Sequence, residues 1–180
     1  MSPFTEELVN YWLFKSEPGE FSIDDLAASP GKRTFWDGVR NYQARNFMRD
    51  DMKNGDLGFF YHSSCDQPGI VGIVEIVREA RPDATAFDPD DKHFDPKSDP
   101  AQPRWYGVDV RLQRKLKEPL TLEKLKQHAA DSLSGLQLLK RGNRLSVMPV
   151  AVDDWHFILQ LEQEIASRRV VRRLDEYESR

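Results

Sequence analysis

The sequence predicts an α+β domain whose sheet curls into a small, partly open β-barrel of five to six mostly antiparallel strands, flanked by short helices. Three observations carry this expectation. Short aromatic and β-branched runs alternate with turn signals and brief helical patterns, and no βαβα repeat of the kind that builds a parallel sheet is present. Two of the strand-like runs contain a glycine, Gly58 and Gly72, where bulges or sharp coiling let a sheet close on itself. The link between the run ending at His62 and the run starting at Gly69 is short enough for an antiparallel hairpin with a long tip.

Taken in order, the segment Tyr11-Trp12-Leu13-Phe14-Lys15 is apolar almost throughout, which predicts a central strand ending at the turn Ser16-Glu17-Pro18-Gly19. Lys15 and Ser16 then fall at a strand end, a usual place for binding groups. Ser22 caps a short helix, with Asp24 and Asp25 at its positive end and Ser29-Pro30-Gly31 stopping it. Ala44, Phe47, Met48 and Met52 recur at helical spacing, so an amphipathic helix is expected over 43–52, closed by Gly55. Leu57 to His62 reads as a buried strand, and Ile70 to Val77 as the strongest strand in the chain because it is β-branched throughout. Residues 82–103 hold five prolines and six aspartates, an excursion anchored by Phe87 and Phe94 that either folds over basic residues or stays solvated. Strand character returns from Arg104 to Leu116, with Pro119 ending it, and Thr121 caps a helix carrying Leu122, Leu125 and Ala129. A helical turn at 136–140, a last strand over 145–150 and a helix capped by Asp153, burying Trp155, Ile158 and Leu159, complete the core. The expected organisation is one domain over 1–180, with a leader at 1–10, a core at about 11–161 and a fraying charged tail at 168–180.

The totals narrow the function. At 180 residues the chain buries a sizeable core without staples, and its single cysteine, Cys65, excludes an internal disulfide framework and fits a reducing compartment. No apolar run approaches the roughly 20 residues that span a bilayer, and no secretion signal opens the chain, so a cytoplasmic protein with no membrane partner is expected. The net charge of -4 argues against coating nucleic acid by bulk attraction. Residues 32–53, however, carry six basic residues against three acidic ones, a local basic face on an acidic body. Such a face suits selective binding of a short anionic segment.

The stretch Phe35-Trp36-Asp37-Gly38-Val39-Arg40-Asn41-Tyr42-Gln43-Ala44-Arg45-Asn46 concentrates aromatics, amides and guanidinium groups. Flat apolar faces beside such groups suit a planar, polar-edged, anionic ligand, of which a nucleotide is the commonest. A plainer reading makes Trp36 and Tyr42 core aromatics and the arginines solvated. Catalytic alternatives are poorly supported. No Gly-x-Gly-x-x-Gly or Walker loop occurs, and four scattered histidines with one cysteine lack metal-ligand spacing. Ser63 and His62 are neighbours on a strand and point to opposite faces, a poor nucleophile–base pair. No catalytic residue, metal or cofactor is therefore expected.

These segments, together with Gly55-Asp56, Gly69-Ile70-Val71-Gly72-Ile73, Phe94-Asp95-Pro96-Lys97-Ser98, Val108-Asp109-Val110 and Arg144 to Val150, resemble the EVE domain in order from about Tyr11 to Leu161. The resemblance implies a PUA-like fold and a non-enzymatic module that reads a modified base or nucleotide in DNA or RNA, single-stranded or flipped out, through an aromatic-lined pocket. The alternative it leaves is a small-molecule or protein-binding PUA-like module with no nucleic-acid role. Carried onto this chain, it makes Trp36 the stacking wall and Lys15 and Ser16 the floor. Asn41 and Tyr42 read the base edge or support Trp36, and Tyr61, His62 and Ser63 close the far side. Arg40, Arg45 and Arg49 face phosphate, and Trp105 completes a cage or belongs to the core. Stacking on one aromatic is worth roughly 1–3 kcal/mol, whereas unpairing a duplex base costs a few, so one wall alone does not extract an ordinary base.

Overall fold

The computed structural model describes residues 8–178 and forms one six-stranded mixed sheet. Its strands are β1 (Tyr11–Ser16), β2 (Arg33–Phe35), β3 (Leu57–His62), β4 (Gly69–Pro82), β5 (Tyr106–Thr121) and β6 (Val147–Val150), in the spatial order β2-β5-β4-β3-β1-β6. Only β1 and β3 run parallel; the other four neighbouring pairs are antiparallel. The sheet curves without closing, and short helices flank it: α1 (Ile23–Ala28), α2 (Tyr42–Asn46) and α3 (Leu122–Lys126), followed by the long α4 (Val152–Glu178).

Both faces of the middle strands are covered, which is why Tyr11 to Phe14 lacks the alternation of a half-exposed strand. On one face Trp155 of α4 stacks on Phe59 and Tyr11, with ring centroids 4.0 and 4.4 Å apart. On the other, Phe14 and Phe60 meet Trp36 edge-to-face, while Trp12 packs against Phe47. Trp12 also donates its indole N–H to the buried Asp56 at 2.9 Å, so that carboxylate ties β1 to the turn before β3.

Several boundaries differ from the expectation. The three-residue β2 has no sequence signature; it exists because it pairs with β5, and Arg33 and Arg81 both bond the buried Asp109. Burial pushes the Asp109 carboxyl up, yet its hydrogen bonds from Arg33 and Arg81 outweigh that and hold its pKa below the usual range. β5 runs through Pro119 because the pairing with β4 jumps from Gly72–Lys115 to Ile70–Leu120, which leaves the proline in a bulge outside the ladder. Gly72 borders that register shift, whereas Gly58 keeps regular register and leaves room for the Phe14 ring. The helix expected over 43–52 is α2 followed by one wide turn, Phe47–Asp51, in which the Met52 N–H reaches back to the Phe47 carbonyl at 2.9 Å. α4 starts at Val152 with Asp153 inside its first turn, and the charged stretch read as a fraying tail continues this helix to Glu178. Of the expected leader, residues 1–7 lie outside the described residues, as do residues 179–180 of the tail.

α1 carries two caps. Ser22 and Asp25 form a reciprocal capping box, and the His62 Nε2 accepts the Ile23 N–H at 3.0 Å. That bond requires a neutral imidazole, and burial lowers the His62 pKa. A pKa lowered on folding contributes stability that is present above the unfolded value of about 6.5 and lost as pH falls through the folded value. Stability should therefore drop on acidification through this range, and His62→Gln, whose amide oxygen accepts at any pH, should lose the histidine part of that drop. Urea melts between pH 8 and 5 test this; identical pH profiles for the two proteins would refute it.

Candidate functional site

A cavity of about 660 Å³ opens where the C-terminal end of β1 meets the chain leaving β2. Its size lies within the roughly 300–1,000 Å³ usual for small-ligand pockets. β1 supplies Lys15 and Ser16; the following turn supplies Glu17, Glu20 and Phe21. β2 and its exit supply Thr34, Phe35, Trp36, Asp37, Gly38 and Val39. Asp91, Lys92 and His93 come from the proline-rich excursion, and Ser146 arrives because its carbonyl accepts the Lys15 N–H at 2.8 Å. Gly38 has φ +73°, and a Cβ there would stand 2.6 Å from the His93 imidazole, so only glycine lets the two segments meet.

The polar groups of this cavity divide by whether the protein already uses them. Ser16 donates its hydroxyl proton to the Phe21 carbonyl at 2.6 Å, which leaves its oxygen lone pairs as acceptors. Lys92 and Glu20 form an ion pair that links the excursion to the β1–α1 turn. The side chains of Lys15 and Asp37 have no protein partner among the described residues. Burial lowers the Lys15 pKa. Burial raises that of Asp37, reinforced by the nearby Asp83 carboxylate. An unpaired cation and an unpaired carboxyl beside an aromatic wall form a site that offers both a donor and an acceptor to a ligand.

Arg40 fixes the roof of the cavity. Its Nε and Nη2 donate to the His93 carbonyl at 2.9 and 2.6 Å, Nη1 donates to the Val39 carbonyl and to Asp83, and Nη2 also donates to Thr85. Arginine has five N–H donors, and these five bonds account for all of them. The sequence assigned Arg40 to phosphate; its geometry makes it an internal clamp instead. Asp83 is fully buried and also accepts from the Gly38 N–H at 2.9 Å and from Thr85. Burial pushes the Asp83 pKa up, but these hydrogen bonds outweigh it and the pKa is lowered. The excursion thus folds over the basic stretch, one of the two outcomes its composition allowed.

The remaining expected site residues separate into groups. Trp36, Lys15 and Ser16 line the cavity. Trp36 is only 8% exposed, since its edges pack on Phe14 and Phe60, so it is a core residue and a cavity wall together. Asn41 is the N-cap of α2 and accepts the Ala44 N–H at 3.0 Å. Tyr61 is buried, and burial pushes its hydroxyl pKa up to about 12. His62 caps α1, and Ser63 bonds the Ser16 carbonyl through its backbone N–H at 3.0 Å; neither lines the cavity. Tyr42 and Trp105 stack on each other, centroids 4.9 Å apart, away from Trp36. Trp105 is buried and donates its indole N–H to Asp95 at 2.7 Å. Arg45 and Arg49 lie near the Tyr42 and Tyr106 rings respectively. Sequence reasoning missed Asp37, which adjoined the motif it singled out, and it missed His93 and Asp91, which carry no local signal because only the Arg40 clamp brings them in.

The chain matches the EVE domain family model over residues 10–161. Thymocyte nuclear protein 1 of Rattus norvegicus is 48% identical over 172 residues, covering 88% of this chain and 76% of that protein. A crystal structure of a protein from Pseudomonas putida is 50% identical with a TM-score of 0.80, covering 84% of this chain and 99% of the other. The crystal structure of human THYN1 protein in complex with DNA containing 5-methylcytosine is 43% identical with a TM-score of 0.81, covering 85% of this chain and 97% of that one. With its core, its six-stranded open sheet and its sequence matched over most of their length, this chain belongs to the EVE domain family.

Proposed function

We propose that this protein reads 5-methylcytosine in DNA, holding the base in the Trp36 cavity without altering it covalently. The observation that carries the reading is a nucleotide-sized cavity with an indole wall and two polar side chains, Lys15 and Asp37, that have no hydrogen-bond or ion-pair partner among the described residues. The choice of DNA and of this modification takes its support from the human relative, 43% identical, in complex with DNA containing 5-methylcytosine. Cytosine presents an amino donor beside acceptors, so a carboxylate that accepts from N4 and an ammonium that donates to N3, O2 or a phosphate oxygen complement it. Phe21, Phe35 and Val39 in the same lining give the 5-methyl group apolar contact. Binding without chemistry takes support from three of the candidate acids and bases, while Lys15 and Asp37 are assigned to ligand contact. The His62 Nε2 is occupied by a backbone N–H, Tyr61 is a poor proton donor near neutral pH, and the Ser16 proton is committed to a carbonyl.

One buried methyl is worth roughly 0.8 kcal/mol, about fourfold in affinity. Fluorescence anisotropy with single-stranded oligonucleotides should thus show about fourfold tighter binding to 5-methylcytosine than to cytosine. Lys15→Met keeps the apolar stem and removes a charge-assisted bond of roughly 1.5–3 kcal/mol, so affinity should fall about tenfold or more. Equal affinity for the two bases, or a Lys15→Met variant that binds like wild type, would overturn the assignment.

A further inference from the structure

We infer that Tyr42 forms a second stacking platform, outside the base cavity, for the base that flanks the one being read. This rests on the proposed reading of DNA. The platform is a separate unit because Tyr42 stacks on Trp105 with centroids 4.9 Å apart and planes inclined by 25°, and neither residue lines the cavity. Trp105 is itself anchored, buried and bonded to Asp95, so the inner face of the Tyr42 ring is held in place before any ligand arrives. Yet Tyr42 remains 53% exposed, unusual for a ring so well supported.

That exposed surface is what a ligand would meet. The Arg45 guanidinium lies 4.9 Å from the Tyr42 ring, the same separation as Trp105. It stands 6.0 Å from Trp105, so it lies beside both rings, and with both neighbours in place just over half of Tyr42 is still exposed. Arg45 bonds Asn46 through Nε and the Arg104 carbonyl through Nη1, and its Nη2 has no protein partner among the described residues. Arg49, one turn on and close to Tyr106, is already paired with Asp50. An exposed aromatic ring with a free guanidinium donor beside it matches a base and its own phosphate.

The platform and the cavity are joined by one side chain. Arg40 bonds the carbonyl of His93, a cavity-lining residue, and its guanidinium lies 5.6 Å from the Trp105 ring. The stack thus lies one arginine side chain from the cavity lining, which puts Tyr42 within reach of a nucleotide next to the one being read. The second stack also supplies the additional contact that a single aromatic wall lacks against the cost of displacing a base.

The test uses single-stranded oligonucleotides with one 5-methylcytosine, flanked either by ordinary nucleotides or by abasic sites, against wild type, Tyr42→Ala and Tyr42→Phe. Wild type and Tyr42→Phe should lose about tenfold in affinity when the flanks become abasic, as expected for loss of one stacked base. Tyr42→Ala should bind the intact strand about tenfold more weakly and be indifferent to abasic flanks, while keeping the wild-type preference for methylated over unmethylated cytosine. If abasic flanks cost wild type nothing, or cost Tyr42→Ala as much as wild type, the platform is refuted while the base reading stands. If wild type shows no preference for the methylated base, the base reading itself fails and the platform with it.

Discussion

Replacing Arg40 by alanine should cost about 3–5 kcal/mol of folding stability, the range for breaking one partner of a buried ion pair. The effect is large because Asp83 is fully enclosed and the Arg40 side chain is only 22% exposed, so water cannot replace the lost donors. The same substitution releases the His93 carbonyl and Thr85, so the excursion over residues 82–103 keeps only the Lys92–Glu20 ion pair and the Gly38–Asp83 hydrogen bond among the attachments described beside the cavity. Urea denaturation should show the loss, and limited proteolysis should cut the variant faster between Asp88 and Ala101. The acid limb carries a second signature. A carboxylate with a lowered pKa contributes stability that is present above the ordinary aspartate value of about 3.9 and lost as pH falls through its folded value. Without Arg40 the Asp83 pKa should rise, and acid unfolding should begin at a higher pH than in wild type. Stability within 1 kcal/mol of wild type, taken here as roughly the noise of single-site effects, would mean that the clamp is not structural.

Trp36→Ala should be comparably damaging, losing about 3–5 kcal/mol, since removing a large buried aromatic adds a cavity to the lost transfer energy. From the sequence, Trp36 reads either as a stacking wall or as a core aromatic; its packing against Phe14 and Phe60 puts it in the core while it also lines the cavity. Alanine therefore cannot separate stability from binding at this position. Trp36→Phe can: it keeps an aromatic ring against Phe14 and Phe60 and should cost roughly 1–2 kcal/mol. Its smaller face should still weaken binding of the 5-methylcytosine oligonucleotide by several-fold. Urea melts and anisotropy on the same preparations separate the two effects. Unchanged affinity in Trp36→Phe would show that the indole only holds the core together.

Much of the fold was legible because its signals are local. The aromatic run of β1 and the β-branched run of β4 declare themselves within a few residues, as do the Ser22 and Thr121 caps. What escaped depends on partners distant in sequence. β2 needs β5 to exist, and Pro119 is tolerated only because a bulge set by the β4 register moves it out of the ladder. The site divides in the same way. Lys15, Ser16 and Trp36 could be picked from strand ends and composition, but residue type does not say whether a polar group is already satisfied. Arg40, Asn41 and His62 were attractive as ligand contacts because they are versatile donors and acceptors, and the fold uses that same versatility internally.

The sequence by itself determined an α+β domain of the EVE family with a mostly antiparallel curved sheet and an aromatic, basic stretch after Phe35, because periodicity, capping and turn chemistry act between near neighbours. Only the tertiary structure decided which side chains remain unsatisfied. It left Lys15 and Asp37 beside Trp36, closed Arg40 into a clamp and moved Tyr42 onto Trp105. The physical reason is that hydrogen-bond satisfaction and burial are properties of groups brought together across 40 or more positions, as Arg40 and Asp83 are, and no window along the chain contains both.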